Sequence, residues 1–165
     1  MTYTTAMASP LGQLLLSGDG ENITGLWLEG QKYYAAALPA KTEPSDTLPL
    51  FSRAKVWLER YFDGQRPAVS ELPLNPAGSE FRQGVWRILC EIPYGAVMSY
   101  GAIAAQMTKQ TGRPASARAV GGAVGHNPIS IVIPCHRVVG ASGGLTGYAG
   151  GIDRKQWLLK LEGAA

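Results

Sequence analysis

An α/β lobe followed by a mainly helical lobe, with the boundary near residue 75, is the architecture this sequence predicts. Three observations carry it. Short apolar runs open the chain, broken by Ser9-Pro10-Leu11-Gly12 and Ser17-Gly18-Asp19-Gly20, as hairpin strands are. Beyond residue 78, Ser79, Ser99 and Ser116 each precede a stretch with helical spacing. The charge also changes sign: residues 1–75 hold 6 Lys/Arg against 8 Asp/Glu, and residues 76–165 hold 9 against 4.

Residues 2–8, 12–17 and 22–28 are the expected strands of a small antiparallel sheet. Residues 48–62 place Leu50, Ala54, Trp57, Leu58 and Tyr61 on one helical stripe, and Asp63-Gly64 stops it. The Pro-rich stretch 66–78 reads as a connector, with 69–74 as an edge strand or extended link. Ser79 caps a helix running to about Glu91, with Phe81, Val85, Trp86 and Leu89 inward, and Pro93-Tyr94-Gly95 ends it. Ser99 caps a helix over roughly 100–108, a polar loop covers 109–115, and Ser116 caps a helix over about 117–126 with Arg118 in its first turn. Two helices so joined have the outline of a helix-turn-helix, although such a pair also occurs as a hairpin packing its own core. Ile129 to Ile133 reads as a short extended run, and Asp153 caps a last helix ending near Glu162.

Hydrophobic residues make up 45% of the chain and charged residues 16%, which excludes a disordered chain. No apolar run approaches a membrane span and no basic-then-apolar leader opens the chain, so a cytoplasmic protein without membrane attachment is expected. Cys90 and Cys135 do not make a disulfide framework and read as free thiols. Two Cys and two His, at 90, 126, 135 and 136, do not supply the three or four spaced ligands of a metal site, so neither metal nor cofactor is expected. From Ile92 to Ile152 there is no carboxylate, while Lys109, Arg113, Arg118 and Arg137 are present. That is a solvated basic surface or a polyanion-binding one.

Cys135 is the candidate nucleophile. It follows a rigid proline and precedes His136 and Arg137, and nearby positive charge or donors lower a thiol pKa. Successive residues of an extended strand face opposite ways, so a thiol–imidazole partnership at 135 and 136 requires a turn or a bridging water. Pro134 makes a turn plausible. Cys90, on the face of its helix, reads as an inert buried thiol. Glu162 is one of only two carboxylates after Glu91; it is a candidate partner for an imidazole, or a solvated residue near the end of the chain. Six glycines between Gly140 and Gly151 suggest tight turns or backbone lying close to a flat ligand, with Tyr148 as a wall or a core aromatic.

With these residues in hand, the second half closely resembles the O6-alkylguanine-DNA alkyltransferases, the methylated-DNA–protein-cysteine methyltransferases. The carrying stretches are "FRQGVWRIL", "IPYGAVMSYGAIA", "ARAVGGAVGHNPISIVIPCHRVVG" and "LTGYAGGIDRKQWLLKLEG", covering almost all of residues 79–163. The first 75 residues match only loosely. The resemblance implies a ribonuclease H-like first lobe and a winged helix-turn-helix-like motif in the second. It implies Cys135 as the alkyl acceptor, His136 as its base through a water, and Glu162 polarising His136. Asn127 would be the hinge after the DNA-reading helix, and Tyr100 would assist the purine leaving group. Arg118 would take the space of an extruded nucleotide, while Ser116, Ala117, Ala119 and Gly121 bring that helix close to the minor groove. Val138, Tyr148, Ala149 and Lys155 would line the base pocket. The implied reaction is a single, irreversible transfer from O6-alkylguanine, and by extension O4-alkylthymine, in duplex DNA. A monomer is expected, with cooperative loading on DNA left open.

Three departures accompany the resemblance. The loop from Thr108 to Ser116 is longer than in many members. Ala149 replaces a Ser found in some relatives, and Thr146 a Gly. The first lobe lacks the zinc-binding Cys/His set of some animal members. Two rival readings remain: a non-catalytic lesion-binding relative, which replaces the acceptor Cys, and a Cys–His thiol hydrolase, which would turn over many times.

Overall fold

The computed structural model describes residues 1–36, 38–145 and 147–164, so the Thr146 departure lies outside the described residues. The chain divides into two compact units, Met1–Ala77 with Pro128–Ser130, and Gly78–Asn127 with Ile131–Ala165.

In the first unit, β1 (Tyr3–Ser9), β2 (Gly12–Gly18) and β3 (Ile23–Leu28) form the expected meander, with Met7 opposite Leu14 and Leu16 opposite Leu26. The sheet is mixed, however, not antiparallel. β4 (Glu43–Pro44) pairs parallel to β1, giving the order β3-β2-β1-β4. Two exposed residues are too few to leave a periodic trace in sequence. α1 (Pro49–Phe62) carries Pro at its start, where the missing N–H is not needed, and buries the whole stripe from Leu50 to Tyr61.

The stretch 69–74 is not a strand. Val69–Glu71 makes a 3₁₀ turn, and Leu74 alone bridges to Ile23. The carboxylate of Glu71 accepts from the Ala68 N–H and from Arg60, which holds the turn shut. Residues 128–130 join this unit through the free edge of β3: Leu26 N–H donates to the Pro128 carbonyl at 2.8 Å, and Ser130 N–H donates to the Leu26 carbonyl at 3.0 Å.

In the second unit, α2 (Glu80–Glu91), α3 (Tyr100–Thr111) and α4 (Ala117–Gly125) each begin at the predicted serine. The hydroxyls of Ser79, Ser99 and Ser116 accept from the backbone N–H of Arg82, Ala102 and Ala119. Each such cap contributes about 1 kcal/mol. The indole of Trp86 donates to the Ala123 carbonyl at 2.8 Å, a carbonyl left over at the end of α4. Gly84 lies close to Met107, where a Cβ would stand 3.0 Å from the methionine methyl. Phe81 is half-buried; Ile88, not Phe81, joins Val85, Trp86 and Leu89 in the core.

α3 runs one turn further than expected, to Thr111, and Gly112 stops it at φ 72°. The hydroxyls of Thr108 and Thr111 return to the carbonyls of Ala104 and Met107, so residues that look like loop formers satisfy themselves on the helix. The joint to α4 is therefore 112–116 rather than the nine residues from Thr108. β5 (Met98–Ser99) pairs parallel with β6 (Val138–Val139), a two-residue contact with no sequence signature. Asp153 does not cap the last helix. α5 (Ile152–Leu161) starts from Gly151 at φ 95°, and Asp153 sits inside its first turn, where its charge favours the helix dipole.

Candidate active site

The segment from Asn127 to Val139 is buried throughout. It is not the extended run its composition suggests. Ile131 sits at φ 71°, an uncommon conformation for a β-branched residue, and it is only 1% exposed. Pro134 then has φ −81° and ψ 65°, and the Cys135 N–H reaches back across it to the Ile133 carbonyl at 2.8 Å. That is an inverse γ-turn. Cys135–Arg137 follow as one 3₁₀ turn, closed by Arg137 N–H to the Pro134 carbonyl at 3.0 Å. In a 3₁₀ turn neighbouring side chains diverge by about 120° rather than 180°. The turn thus separates Cys135 from Arg137, while His136 and Arg137 both reach Glu162.

Cys135 is 3% exposed. Burial pushes its thiol pKa up, and hydrogen bonding from Asn127, the Lys155 charge and the Tyr148 hydroxyl each pull against that. The thiol is therefore protonated at rest, inside a set of groups that favour its anion. Asn127 donates from Nδ2 to the Ile133 carbonyl at 2.8 Å, which fixes its amide beside the sulfur. Lys155 is fully buried and donates to the Val138 carbonyl at 2.5 Å. Burial lowers its pKa, while the neighbouring sulfur raises it. The Tyr148 hydroxyl is buried, has no nitrogen or oxygen partner among the described residues, and couples to the Cys135 sulfur, which with burial drives its pKa well up.

His136 is fully buried and hydrogen-bonded through Nε2 to Glu162 Oε2 at 2.7 Å. Burial lowers its pKa and Glu162 opposes that. With Nε2 committed to the carboxylate, Nδ1 is the nitrogen that exchanges a proton. Glu162 is buried at 4% exposure, not solvated, because α5 ends there against the 3₁₀ turn.

Arg137 was not among the expected site residues. Its Nε donates to Glu162 Oε1 at 2.7 Å, its Nη2 to Oε2 at 3.1 Å and its Nη1 to the Ile92 carbonyl at 2.7 Å. It faces the carboxylate, not the thiol. The one available signal was a cation next to His136 in a half with few acids. Cys90, in contrast, is half-buried, and burial together with Glu91 pushes its pKa up to about 11.

These positions sort into two surfaces of one unit. Cys135, His136, Asn127, Val138, Tyr148, Lys155 and Glu162 converge, and Ala149 lies half-buried beside Tyr148. Tyr100 begins α3 directly after the Ser99–Val139 pair, and its ring lies 3.9 Å from where a Cβ on Gly121 would be. Ser116, Ala117, Arg118 and Ala119 form an exposed first turn of α4. Among the described residues no group of three His, Cys, Asp or Glu is placed to hold a metal ion, and no helix is long and apolar enough to cross a membrane.

Two family models match in succession: the ribonuclease-like domain of 6-O-methylguanine DNA methyltransferase over residues 1–76, and its DNA binding domain over residues 80–164. The chain belongs to the 6-O-methylguanine DNA methyltransferase family. Within that family it is 44% identical over 160 residues to the methylated-DNA–protein-cysteine methyltransferase of Haemophilus influenzae, covering 97% of this chain and 86% of that one. It is 43% identical over 167 residues to that of Methanosarcina acetivorans, covering 98% and 99%. Among solved structures, Mycobacterium tuberculosis OGT in complex with DNA matches with a TM-score of 0.86 and 44% identity, over 98% of this chain and 93% of that one.

Proposed function

We propose that this chain is a single-turnover DNA repair enzyme that moves an alkyl group from O6 of guanine in duplex DNA onto Cys135. The observation that supports it most is the buried His136–Glu162 pair on the turn that carries Cys135, with the imidazole 2.7 Å from the carboxylate. The ordering follows from the geometry of a nucleophile, a base and an orienting acid.

A water between Sγ and His136 Nδ1 carries the thiol proton to the imidazole. Glu162 stabilises the imidazolium. The thiolate attacks the alkyl carbon in line, the carbon–O6 bond breaks, and guanine leaves with the bonding pair. Tyr100, at the start of α3, gives a proton to the departing purine, which neutralises its developing charge. The imidazolium proton later returns to tyrosinate or solvent. The thioether product has no leaving group of comparable quality, so one molecule repairs one lesion. O4-alkylthymine presents a similar carbon and falls within the same chemistry.

A lesion inside a duplex must be flipped out, and a poorly paired base costs less to extrude. Arg118, exposed on the first turn of α4, fills the space in the stack. Ser116, Ala117, Ala119 and Gly121 have side chains small enough for that turn to lie in a minor groove. Lys155 holds the Val138 carbonyl, and Tyr148 and Ala149 border the base. Asn127 acts as the hinge between α4 and the Cys135 turn. The protein acts as a monomer in the cytoplasm.

The decisive experiment incubates the protein with a duplex carrying one O6-methylguanine. One methylene of added mass, one equivalent per molecule, mapped to Cys135, supports the proposal. Many turnovers on a small thioester or amide, with an unmodified Cys135, supports a thiol hydrolase instead.

A further inference from the structure

We infer that Arg137 is a positioning residue that keeps the His136–Glu162 pair one proton short, so that His136 is a base at neutral pH. This deepens the reading of His136 as the base and rests on it. Glu162 is buried and meets His136 Nε2 at 2.7 Å from Oε2, and Arg137 through Nε at 2.7 Å from Oε1 and Nη2 at 3.1 Å from Oε2. Arg137 itself is 7% exposed and cannot shed its proton. Its third nitrogen is anchored on the Ile92 carbonyl at 2.7 Å, and its guanidinium lies 5.7 Å from the centre of the Tyr94 ring.

A buried carboxylate needs one compensating positive charge. If His136 were its only partner, that charge would come from protonating the imidazole, and the pair would sit as imidazolium and carboxylate. An imidazolium cannot accept the thiol proton. Arg137 supplies the charge permanently, so Glu162 stays ionised while His136 stays neutral. Nε2–H then donates to Glu162, and the Nδ1 lone pair is ready.

Other charged or titratable groups around the pair are Cys135 on the same turn, Lys155 on α5 and Tyr148 on the Gly-rich segment, and Cys90 on α2 feels the Arg137 charge. Lys155 acts on His136 in the same direction as Arg137. Only Arg137 touches Glu162 with two nitrogens among the bonds described. The Gly95 N–H also points at Oε1 from 3.5 Å, and the Tyr94 hydroxyl holds the backbone one residue earlier, donating to the Leu161 carbonyl at 3.2 Å.

The test is an imidazole titration by ¹⁵N NMR on the whole protein, with His136 assigned by a His126→Gln variant. In the unaltered protein at pH 7, His136 must be neutral with its proton on Nε2; an imidazolium there overturns the inference with no variant needed. In Arg137→Gln the His136 titration should move upward by about one to two units. Alkyl transfer at pH 7 should then fall roughly tenfold for each unit by which that pKa exceeds the assay pH, and recover in alkali. Arg137→Lys, which keeps the charge, should leave the titration near its original place.

A purely structural arginine would lower the melting temperature of both variants without moving the imidazole. A folded Arg137→Gln with an unmoved His136 titration overturns the inference. The NMR readout does not depend on transfer. If His136 titrates as described but Cys135 gains no alkyl group from methylated duplex, the inference about Arg137 survives and the proposed reaction fails.

Discussion

Asn127 and Ile133 are joined across the Cys135 turn: the Asn127 amide donates from Nδ2 to the Ile133 carbonyl at 2.8 Å, and the same carbonyl receives the Cys135 N–H at 2.8 Å. One oxygen therefore carries both the end of the α4 segment and the backbone of Cys135. It ties Asn127 to the Cys135 backbone through a single shared acceptor.

Asn127→Ala should weaken both. The Ile133 carbonyl keeps its second donor, so the stability loss should be about 1–2 kcal/mol, read from the midpoint of urea unfolding. The thiol also loses the strongest group holding its pKa down, so transfer should slow more than stability alone explains. Equal transfer rates in the two proteins at matched stability would contradict this placement of the amide.

The two cysteines should separate cleanly. Cys135→Ala should abolish transfer while duplex affinity persists, because most affinity comes from phosphate contacts. Cys90→Ser should leave transfer within a few-fold of normal. Burial and Glu91 push the Cys90 thiol up to about 11, so it is almost wholly protonated at neutral pH. Gel-shift titration and mass mapping of the methylated duplex reaction check both.

Acid should destabilise the fold earlier than its surface carboxylates alone would. The folded His136 has its pKa below the ordinary 6.5, so the unfolded chain binds a proton that the folded one refuses. Its contribution is complete above about pH 6.5 and is lost as pH falls through the folded value. Thermal melts should show the midpoint falling on acidification below pH 6.5, and His136→Gln should flatten that limb. A melting point constant from pH 7 to 5 in the unaltered protein would contradict a buried neutral imidazole.

Arg118→Ala should slow repair of duplex DNA far more than reaction with the free modified base. The side chain is exposed on α4 and has no part in the buried Cys135 turn, so its loss should leave the chemistry intact and remove the group proposed to fill the stack. Single-turnover rates on the two substrates measure the ratio. Equal slowing on both would exclude an intercalating role.

Local signals were enough for much of this protein. Ser79, Ser99 and Ser116 mark helix starts because a capping hydroxyl satisfies an N–H three residues on, and that requirement is written in adjacent residues. The stripe from Leu50 to Tyr61 and the three-stranded meander are likewise short-range patterns. The Cys135 turn and its neighbours in "IPCHRVVG" were picked out by the residues themselves and by the family they resemble. Longer-range pairings left no such trace. β4 and the β5–β6 contact are two-residue ladders whose partners lie about 40 residues off in the chain, too short to impose a period.

The reach of α3 to Thr111 and the left-handed Ile131 went the same way. Both depend on which backbone groups find partners after packing, and not on the propensity of Thr or Ile. Arg137 shows the division most plainly. Its position beside His136 is sequence, but a side chain in a 3₁₀ turn points about 120° from its neighbour. Only the folded chain, bringing α5 and its terminal Glu162 against that turn, decided that the guanidinium clamps the carboxylate and leaves the thiol to Asn127, Lys155 and Tyr148.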